Sequence, residues 1–213
     1  MNTRWPVRGL YAITEDESDT PRLLARAEQV LAAGAVWLQY RNKAADRELR
    51  EHQARSMQPL CRKYSVPLII NDEWRLAAAI GADGAHLGSD DGELDAAREA
   101  LGPTALLGAS CYDDLALARR AVACGADYVA FGAFFASSTK PHARRATTDL
   151  LTAAAPLGVP RVAIGGITPD NARPLVAAGA DLIAVISGVF GADDPVRATS
   201  DYISCFDNDG HTP

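Results

Sequence analysis

The sequence lacks the features that mark membrane and secreted proteins. No stretch comes near the roughly 18 uninterrupted apolar residues that a membrane-spanning helix needs. The N-terminal letters MNTRWPVRGLYAIT contain neither the apolar run nor the small-residue cleavage site of a signal peptide. The 4 cysteines include no CxxC pair of the kind used for zinc binding or redox chemistry. We therefore expect a cytoplasmic protein with no membrane partner and with reduced thiols.

Basic residues are also scarce. Lys and Arg number 21 against 27 Asp and Glu, which gives a formal net charge of −6. Because nucleic-acid binding depends on clustered Lys and Arg, this balance argues against a nucleic-acid partner. A small anionic ligand remains compatible with it, since local charge can oppose the net sign. No Ser–His–Asp set, zinc-ligand spacing or GxGxxG motif stands out either.

One pattern is present from end to end. A short apolar run ends in a polar residue, a loop and an alanine-rich helical stretch follow, and Gly-Ala often precedes the next run. The predicted strands are 10–14, 36–41, 67–71, 84–88, 105–110, 128–132, 161–166 and 182–187. The predicted helices between them include 20–34, 73–81, 113–125 and 169–179. The strands are nearly continuous in apolar residues, as expected when both faces of a sheet are covered.

This alternation favours one closed barrel. Helix C-caps are predicted at Gly34, Gly81, Gly125 and Gly179, and N-caps at Asp113 and Thr168. Eight parallel strands alternating with helices fit a single-domain (β/α)8 TIM barrel, with an open doubly wound sheet as the alternative. The barrel is expected to span about residues 9–204, followed by a polar tail over 205–213 that frays. The sequence leaves open whether the protein forms a homo-oligomer.

Polar side chains gather where the predicted strands end, which is where the chemistry of such barrels is found. Asn71 and Asp72 follow the third strand, and Ser89, Asp90 and Asp91 follow the fourth. Two carboxylates from adjacent loops suit Mg²⁺, which commonly joins one or two carboxylates to substrate phosphates. The alternative interpretation is that Asp72 or the next residue merely caps the helix at 73–81.

Cations from other loops favour the magnesium site over the helix cap. Arg41, Lys43 and Lys140 are predicted to face the same barrel mouth, and both residue types suit phosphate oxygens. Each could by itself be a solvated surface residue. Acids and cations on one rim of a net acidic chain indicate an Mg²⁺–diphosphate site.

A second anion site is predicted at the other side of the mouth. Glycine backbone ends the seventh and eighth strands, in AIGGI at 163–167 and VISG at 185–188, and hydroxyls lie at 137–139. Barrels often bind a phosphate there through backbone N–H groups, although glycine pairs also serve tight turns. His86 is expected to be a hydrogen-bonded core residue rather than a base.

Seven motifs follow one another along the chain, namely QYRNK 39–43, IINDEW 69–74, GADGAHLGSDD 81–91, LLGASC 106–111, GADYVAFGAFFASSTK 125–140, VAIGGITPDNA 162–172 and GADLIAVISGVF 179–190. Together they resemble the thiamine-phosphate synthase family, within the wider thiamine-phosphate synthase and thiazole tautomerase group. The resemblance runs from about Gly9 to Ala192. It implies a barrel enzyme that joins a pyrimidine diphosphate to a thiazole phosphate, or to the carboxylated thiazole, and releases diphosphate.

The resemblance also implies roles for individual residues. The pyrimidine diphosphate would be bound by Gln39, Tyr40, Arg41, Asn42, Lys43, Asn71, Ser110 and Lys140. Of these, Arg41, Lys43, Ser110 and Lys140 are predicted to be catalytic. Asp72 and Asp91 would hold Mg²⁺. The thiazole phosphate would be bound by Ser137, Ser138, Thr139, Gly166, Ile186 and Ser187.

Two alternatives stay open at this point. A thiazole tautomerase would share the barrel and the thiazole-phosphate end, but such enzymes tend to lose the diphosphate-binding residues. A non-catalytic thiamine-phosphate-binding barrel is favoured only by two departures from the family pattern. These are Ser89, where glutamine is usual, and Ala133 after Gly132, where proline is often found.

Overall fold

The computed structural model describes residues 5–88, 94–136 and 145–207 of the chain. Its eight strands are parallel and close into a barrel, in which each strand pairs with the next along the chain and the last pairs with the first. The strands are β1 Gly9–Ile13, β2 Trp37–Tyr40, β3 Leu68–Asn71, β4 Gly84–Leu87, β5 Leu106–Tyr112, β6 Tyr128–Phe131, β7 Arg161–Ile164 and β8 Leu182–Val185. Every predicted strand is found within two residues at each end, and the predicted TIM barrel is confirmed.

Helices follow the strands and form the outer layer. They are α1 Thr20–Ala32, α2 Arg47–Lys63, α3 Trp74–Ile80, α4 Leu94–Leu101, α5 Leu115–Ala123, α6 Thr148–Ala153, α7 Pro169–Ala177, α8 Ser187–Phe190 and α9 Pro195–Ile203. Short 3₁₀ turns lie at Ala155–Leu157 and Ser204–Phe206. Across the described ranges, no helix combines the length and apolar character needed to cross a membrane.

The helix ends confirm most of the predicted caps. The four predicted C-terminal glycines all have positive φ, and Thr168 forms a capping box with Asn171 ahead of Pro169. The prediction of Asp113 as an N-cap is wrong. The cap is Asp114, whose carboxylate accepts from the N–H groups of Ala116 and Leu117. The shift by one residue arises because β5 is longer than predicted and carries an irregularity between Ser110 and Tyr112.

Side chains alternate between two cores along each strand. On β2, Trp37 points into the barrel, whereas Leu38 and Tyr40 pack in the layer between strands and helices. The same alternation places Asn71 with inward-facing Ile69. The polar ends of the inward-facing rows therefore line the barrel mouth, while the hydrophobic rows below them close the barrel.

The outer layer continues past the predicted boundary at residue 204. Cys205 is buried, and its Sγ lies 3.4 Å from the carbonyl oxygen of Pro169. The start of the predicted fraying tail is therefore packed on α7, and residues 208–213 lie outside the described ranges. All four cysteines are free thiols, as predicted.

Candidate active site

A cavity of about 260 Å³ opens beside the C-terminal ends of β2 and β3. Its wall brings together charged groups from three places, the β2–α2 loop, the β3–α3 turn and helix α2. They are Arg41, Lys43, Arg50, Asp72 and Glu73. The structure thus gathers the predicted cations and the predicted acid of the described chain on one rim, and it adds an arginine and a glutamate that the sequence analysis did not select.

The loop after β1 fixes the two cations of the β2–α2 loop. The Thr14 hydroxyl accepts from the Arg41 N–H at 2.8 Å and donates to the Arg41 carbonyl oxygen at 2.7 Å. Asp16 accepts from the Arg41 guanidinium at 3.0 Å and from the Lys43 backbone N–H at 2.7 Å. These four contacts hold the backbone of the loop and leave part of the Arg41 fork available to an anion.

Two side chains of the QYRNK motif, Tyr40 and Asn42, form hydrogen bonds that hold the β2–α2 loop and do not point along the barrel axis. The Tyr40 hydroxyl donates to Gln53 on α2 at 2.8 Å. Asn42 is buried, donates to the Glu17 carbonyl oxygen at 2.7 Å and accepts from the Ala45 N–H at 3.1 Å. These side chains anchor the loop to its neighbours, and their predicted contacts with substrate stay predictions.

Asp72 has a left-handed backbone conformation, which is uncommon for residues other than glycine. Its φ is +60°, in the left-handed region that Asp and Asn adopt more readily than most residues. Its N–H donates to the His86 carbonyl oxygen at 2.8 Å, which ties the β3–α3 turn to β4. Its carboxylate lies 3.3 Å from Lys43 Nζ, with side chains 35% and 59% exposed, so the pair contributes about 0–1 kcal/mol and can exchange partners.

The helix-cap alternative for these acids is not what the structure shows. Glu73 occupies the N-cap position of α3, but its side chain makes no capping bond and instead lies 2.7 Å from Arg50 Nε. Asp72 is directed to Lys43. A partly exposed carboxylate beside Lys43 fits the oxygen-donor preference of Mg²⁺, and its predicted role as a metal ligand stays a prediction. In the described ranges no three His, Cys, Asp or Glu residues cluster in a metal-binding arrangement, and the second predicted ligand, Asp91, lies outside those ranges.

A chain of hydrogen bonds crosses the barrel interior just below the mouth. Gln39 Nε2 donates to the Tyr11 hydroxyl at 2.7 Å, and the Tyr11 and Tyr128 hydroxyl oxygens are 2.9 Å apart. The Tyr128 hydroxyl lies 3.1 Å from His86 Nδ1, and His86 Nε2 lies 2.9 Å from the Ser110 hydroxyl. The prediction of a hydrogen-bonded core histidine is confirmed. This series of hydrogen bonds connects two predicted substrate-binding residues, Gln39 on β2 and Ser110 on β5.

The second predicted anion site lies at the ends of β7 and β8. Gly165 and Gly166 have φ of +102° and +64°, and a Cβ on Gly166 would lie 2.5 Å from the Ala136 carbonyl oxygen. The glycine pair therefore lets the β6–α6 connection pass against β7. Ile186 packs on the inner core, and Ser187 begins the single-turn helix α8.

Comparison with known proteins decides between the open alternatives. The family model for thiamine monophosphate synthase matches residues 10–189. A thiamine-phosphate synthase of Xanthomonas campestris pv. campestris (strain 8004) is 56% identical over 206 residues, 97% of this chain and 99% of that protein. The chain belongs to the thiamine monophosphate synthase family. The predicted enzyme class, a thiamine-phosphate synthase of thiamine biosynthesis, is thereby confirmed.

Further relatives agree with this family. The thiamine-phosphate synthase of Methylobacillus flagellatus is 58% identical over 189 residues, 89% of this chain and 90% of that one. The solved thiamine phosphate pyrophosphorylase of Pyrococcus furiosus superposes with a TM-score of 0.83 at 33% identity, covering 94% of this chain and 96% of that chain. These names favour the synthase over the tautomerase and over the binding protein. A 3-hexulose-6-phosphate synthase, at 17% identity and a TM-score of 0.69, shows the shared fold alone.

Several predicted site residues of this family member lie outside the described ranges. They are Asp91, Ser137, Ser138, Thr139 and Lys140. Ser89, the departure from the family pattern, lies outside these ranges as well. Their roles stay predictions.

The sequence analysis missed five side chains that organise this site. Asp16 lies three residues after the end of β1, and reading that loop like the others would have found it. Arg50 and Glu73 were hidden because each looks like an ordinary helix residue. Tyr11 and Tyr128 lie 117 residues apart and looked like core aromatics.

Buried tyrosines predict how the stability of the enzyme depends on pH. Burial raises the pKa of Tyr11, Tyr40 and Tyr128 well above the ordinary value of 10.0, and it raises that of Tyr202 to about 12. The native state therefore keeps protons that the unfolded chain loses above pH 10.0. The free energy of unfolding should be insensitive to these groups below that pH and should fall above it, by about 1.4 kcal/mol per pH unit for each tyrosine.

Urea unfolding at several pH values, combined with tyrosinate absorbance of the native protein, checks this prediction. The account requires the absorbance of these four tyrosines to rise together with unfolding. Ionisation of all of the chain's 6 tyrosines near pH 10.0 in a protein that is still folded would contradict it.

Gly166→Ala should weaken the predicted phosphate site. The added methyl group meets backbone at 2.5 Å, and the left-handed conformation costs a non-glycine residue about 1–2 kcal/mol. Because this clash, unlike the strain, displaces backbone where the phosphate is predicted to bind, we expect KM for the thiazole phosphate to rise about tenfold, equivalent to about 1.4 kcal/mol of lost binding. Gly158→Ala is the matched control, because its φ is +70° with no atom within 4 Å of the new Cβ. Equal kinetic effects of the two variants would contradict the assignment.

Proposed function

We propose that this chain couples 4-amino-5-hydroxymethyl-2-methylpyrimidine diphosphate with 4-methyl-5-(2-phosphoethyl)thiazole, or its carboxylated form. The products are thiamine phosphate and diphosphate, with carbon dioxide from the carboxylated thiazole. The observation that carries the proposal is the cavity at the ends of β2 and β3, where Arg41 and Lys43 face Asp72 on one rim. Family membership over residues 10–189 supports the same chemistry.

Charge at the leaving group is the main problem in this reaction. The hydroxymethyl carbon of the pyrimidine carries a diphosphate, and the electron-rich ring can stabilise a developing cation. We infer a dissociative displacement in which the thiazole nitrogen attacks that carbon. Arg41, Lys43 and Lys140 would bind the departing diphosphate, and no strong general base is needed. Catalysis would come chiefly from electrostatic stabilisation and from alignment of the two substrates.

The acids have a separate role. Asp72 and Asp91 would hold Mg²⁺, which when bound offsets the negative charge of the diphosphate. The exposed ion pair between Lys43 and Asp72 supports this assignment, because its small net free energy lets both side chains turn to ligands. Asp16 keeps the β2–α2 loop in place while they do so.

The remaining predicted residues bind the two ring systems and the second phosphate. Gln39, Asn71 and Ser110 come from inward-facing rows of the strands and would contact the pyrimidine. The thiazole phosphate would be held by Ser137, Ser138, Thr139, Gly166, Ile186 and Ser187. Its approach from β7 and β8 would place the thiazole across the mouth from the diphosphate.

A coupling assay with both substrates, with and without Mg²⁺, tests the proposal. We expect thiamine phosphate and diphosphate in equal amounts, and a rate that collapses when the metal is chelated. Isomerisation of the thiazole carboxylate without coupling would indicate a tautomerase. Tight binding of thiamine phosphate without turnover would indicate a binding protein. The cytoplasmic location, a homo-oligomeric state and the lack of a nucleic-acid partner stay predictions.

A further inference from the structure

The donor and acceptor of each hydrogen bond in the barrel interior follow from Gln39, which lies at one end of the series. Gln39 Nε2 can only donate, so the Tyr11 oxygen is the acceptor of that bond. Tyr11 is fully buried, and within the described part of the chain its own proton has one available acceptor, the Tyr128 oxygen. The Tyr128 proton then goes to His86 Nδ1, which makes Nε2 the protonated ring nitrogen of His86.

The reverse direction would leave a buried proton without a partner. If His86 donated from Nδ1 to Tyr128, then Tyr128 would donate to Tyr11, whose oxygen already accepts from Gln39. The Tyr11 proton would then have no acceptor among the described residues. Burial of an unpaired donor is costly, so the direction from Gln39 towards β5 is favoured.

We propose that His86, Tyr128 and Tyr11 are positioning residues that act through Ser110. Because His86 Nε2–H donates to the Ser110 oxygen, the Ser110 proton is turned away from the barrel core and into the mouth. Ser110 is partly exposed there, whereas the four residues of β5 that precede it are buried. Its hydroxyl becomes a fixed donor to an acceptor atom of the pyrimidine diphosphate. This inference rests on the proposed function for the identity of that ligand, but the direction of the relay does not.

The packing around Tyr128 supports a dedicated relay. A Cβ on Gly108 would lie 2.0 Å from Cζ of Tyr128, so the ring occupies the space that a side chain on β5 would fill. Glycine weakens a strand interior and often marks such a close approach. The Tyr128 ring also stacks on His86, with ring centroids 5.5 Å apart and planes 26° apart. Burial raises the pKa of both tyrosines well above the ordinary range, so both hydroxyls keep the protons that the relay needs.

Nitrogen NMR of the histidine rings tests the direction without any turnover. The chain has 4 histidines, and His86→Gln assigns the signal. We expect the His86 ring of the wild type to be the Nε2–H tautomer. Tyr128→Phe should shift His86 towards a mixture of tautomers, because Nδ1 loses the hydroxyl that donates to it. The phenyl ring that remains still fills the space over Gly108. A wild-type ring with its proton on Nδ1 would overturn the proposal. So would an unchanged tautomer in the folded variant.

Kinetics then test whether the relay acts through Ser110. Tyr128→Phe should lower kcat about 5- to 10-fold, the scale of one lost hydrogen bond, with KM for the thiazole phosphate unchanged. In a Ser110→Ala background the same change should have no further effect, and His86→Gln, which keeps an N–H donor, should retain more activity than His86→Leu. Additive effects would overturn the proposal.

Two controls keep these outcomes separate. Tyr202→Phe removes a buried hydroxyl that donates to the Ile167 carbonyl oxygen at 2.9 Å, outside the relay, and should leave the His86 tautomer unchanged. If Tyr128→Phe does not fold, Tyr11→Phe supplies the test, because it leaves His86 Nδ1 as the one described acceptor of the Tyr128 proton. The Nε2–H tautomer should then persist, and a proton on Nδ1 in that variant would overturn the proposal. A wild-type protein without coupling activity would refute the proposed function, and the NMR result would still decide the direction of the relay.

Discussion

Replacing Arg41 by alanine should lower kcat/KM for the pyrimidine diphosphate about 10²–10³-fold, the usual cost of removing one electrostatic contact to developing charge. The fold holds Arg41 at the rim of the cavity. Its backbone N–H and carbonyl are held by Thr14, and one arm of its fork is held by Asp16 at 3.0 Å. The loss should be mainly in kcat, because the diphosphate carries more charge as it departs than in the bound substrate.

Steady-state kinetics with each substrate varied in turn measure this effect. Arg119→Ala is the matched control, since Arg119 is an exposed arginine on α5 and its removal changes the net charge equally. Arg41→Lys should recover only part of the loss, because lysine cannot form the bidentate contact. Wild-type rates for Arg41→Ala at both limiting and saturating substrate would contradict the assignment.

Asp72→Asn should lower activity at least about 10²-fold and should make pyrophosphate binding insensitive to Mg²⁺. Asparagine is the informative replacement because it also tolerates φ of +60° and keeps the turn after β3. The variant loses a charged oxygen ligand without losing the backbone bond to His86. Its unfolding free energy should therefore stay close to that of the wild type, since the pair with Lys43 is exposed.

Calorimetric titration of pyrophosphate with and without Mg²⁺ provides the second readout for Asp72→Asn. The matched control is Asp149→Asn, an exposed carboxylate in the first turn of α6. If Mg²⁺ tightened pyrophosphate binding as strongly in Asp72→Asn as in the wild type, Asp72 would not be a metal ligand.

The fold could be predicted from the sequence because its periodicity is local. Most strands are apolar runs, and several helices are followed by a glycine such as Gly81 or Gly125, whose positive φ the structure confirms. The misplaced cap at Asp113 shows the limit of this reasoning. Nothing in the local pattern indicates that β5 continues through an irregularity to Tyr112.

The rim of the site could be predicted because strand ends in a barrel converge. The barrel interior could not, because it depends on which residues meet across the axis. Tyr11 and Tyr128 come from β1 and β6, and only the closed geometry brings their hydroxyls to 2.9 Å. Asp16 could have been found from the end of β1, but its contact with the Lys43 N–H in the next β-to-α loop is visible only in the structure.

A crystal structure of the protein with Mg²⁺ and pyrophosphate tests the central claim most directly. The account predicts one metal ion in contact with both Asp72 and Asp91, and diphosphate oxygens bound by Arg41 and Lys43 at the mouth beside β2 and β3. Separate solvent positions for the two aspartates, or a diphosphate bound away from these cations, would contradict it.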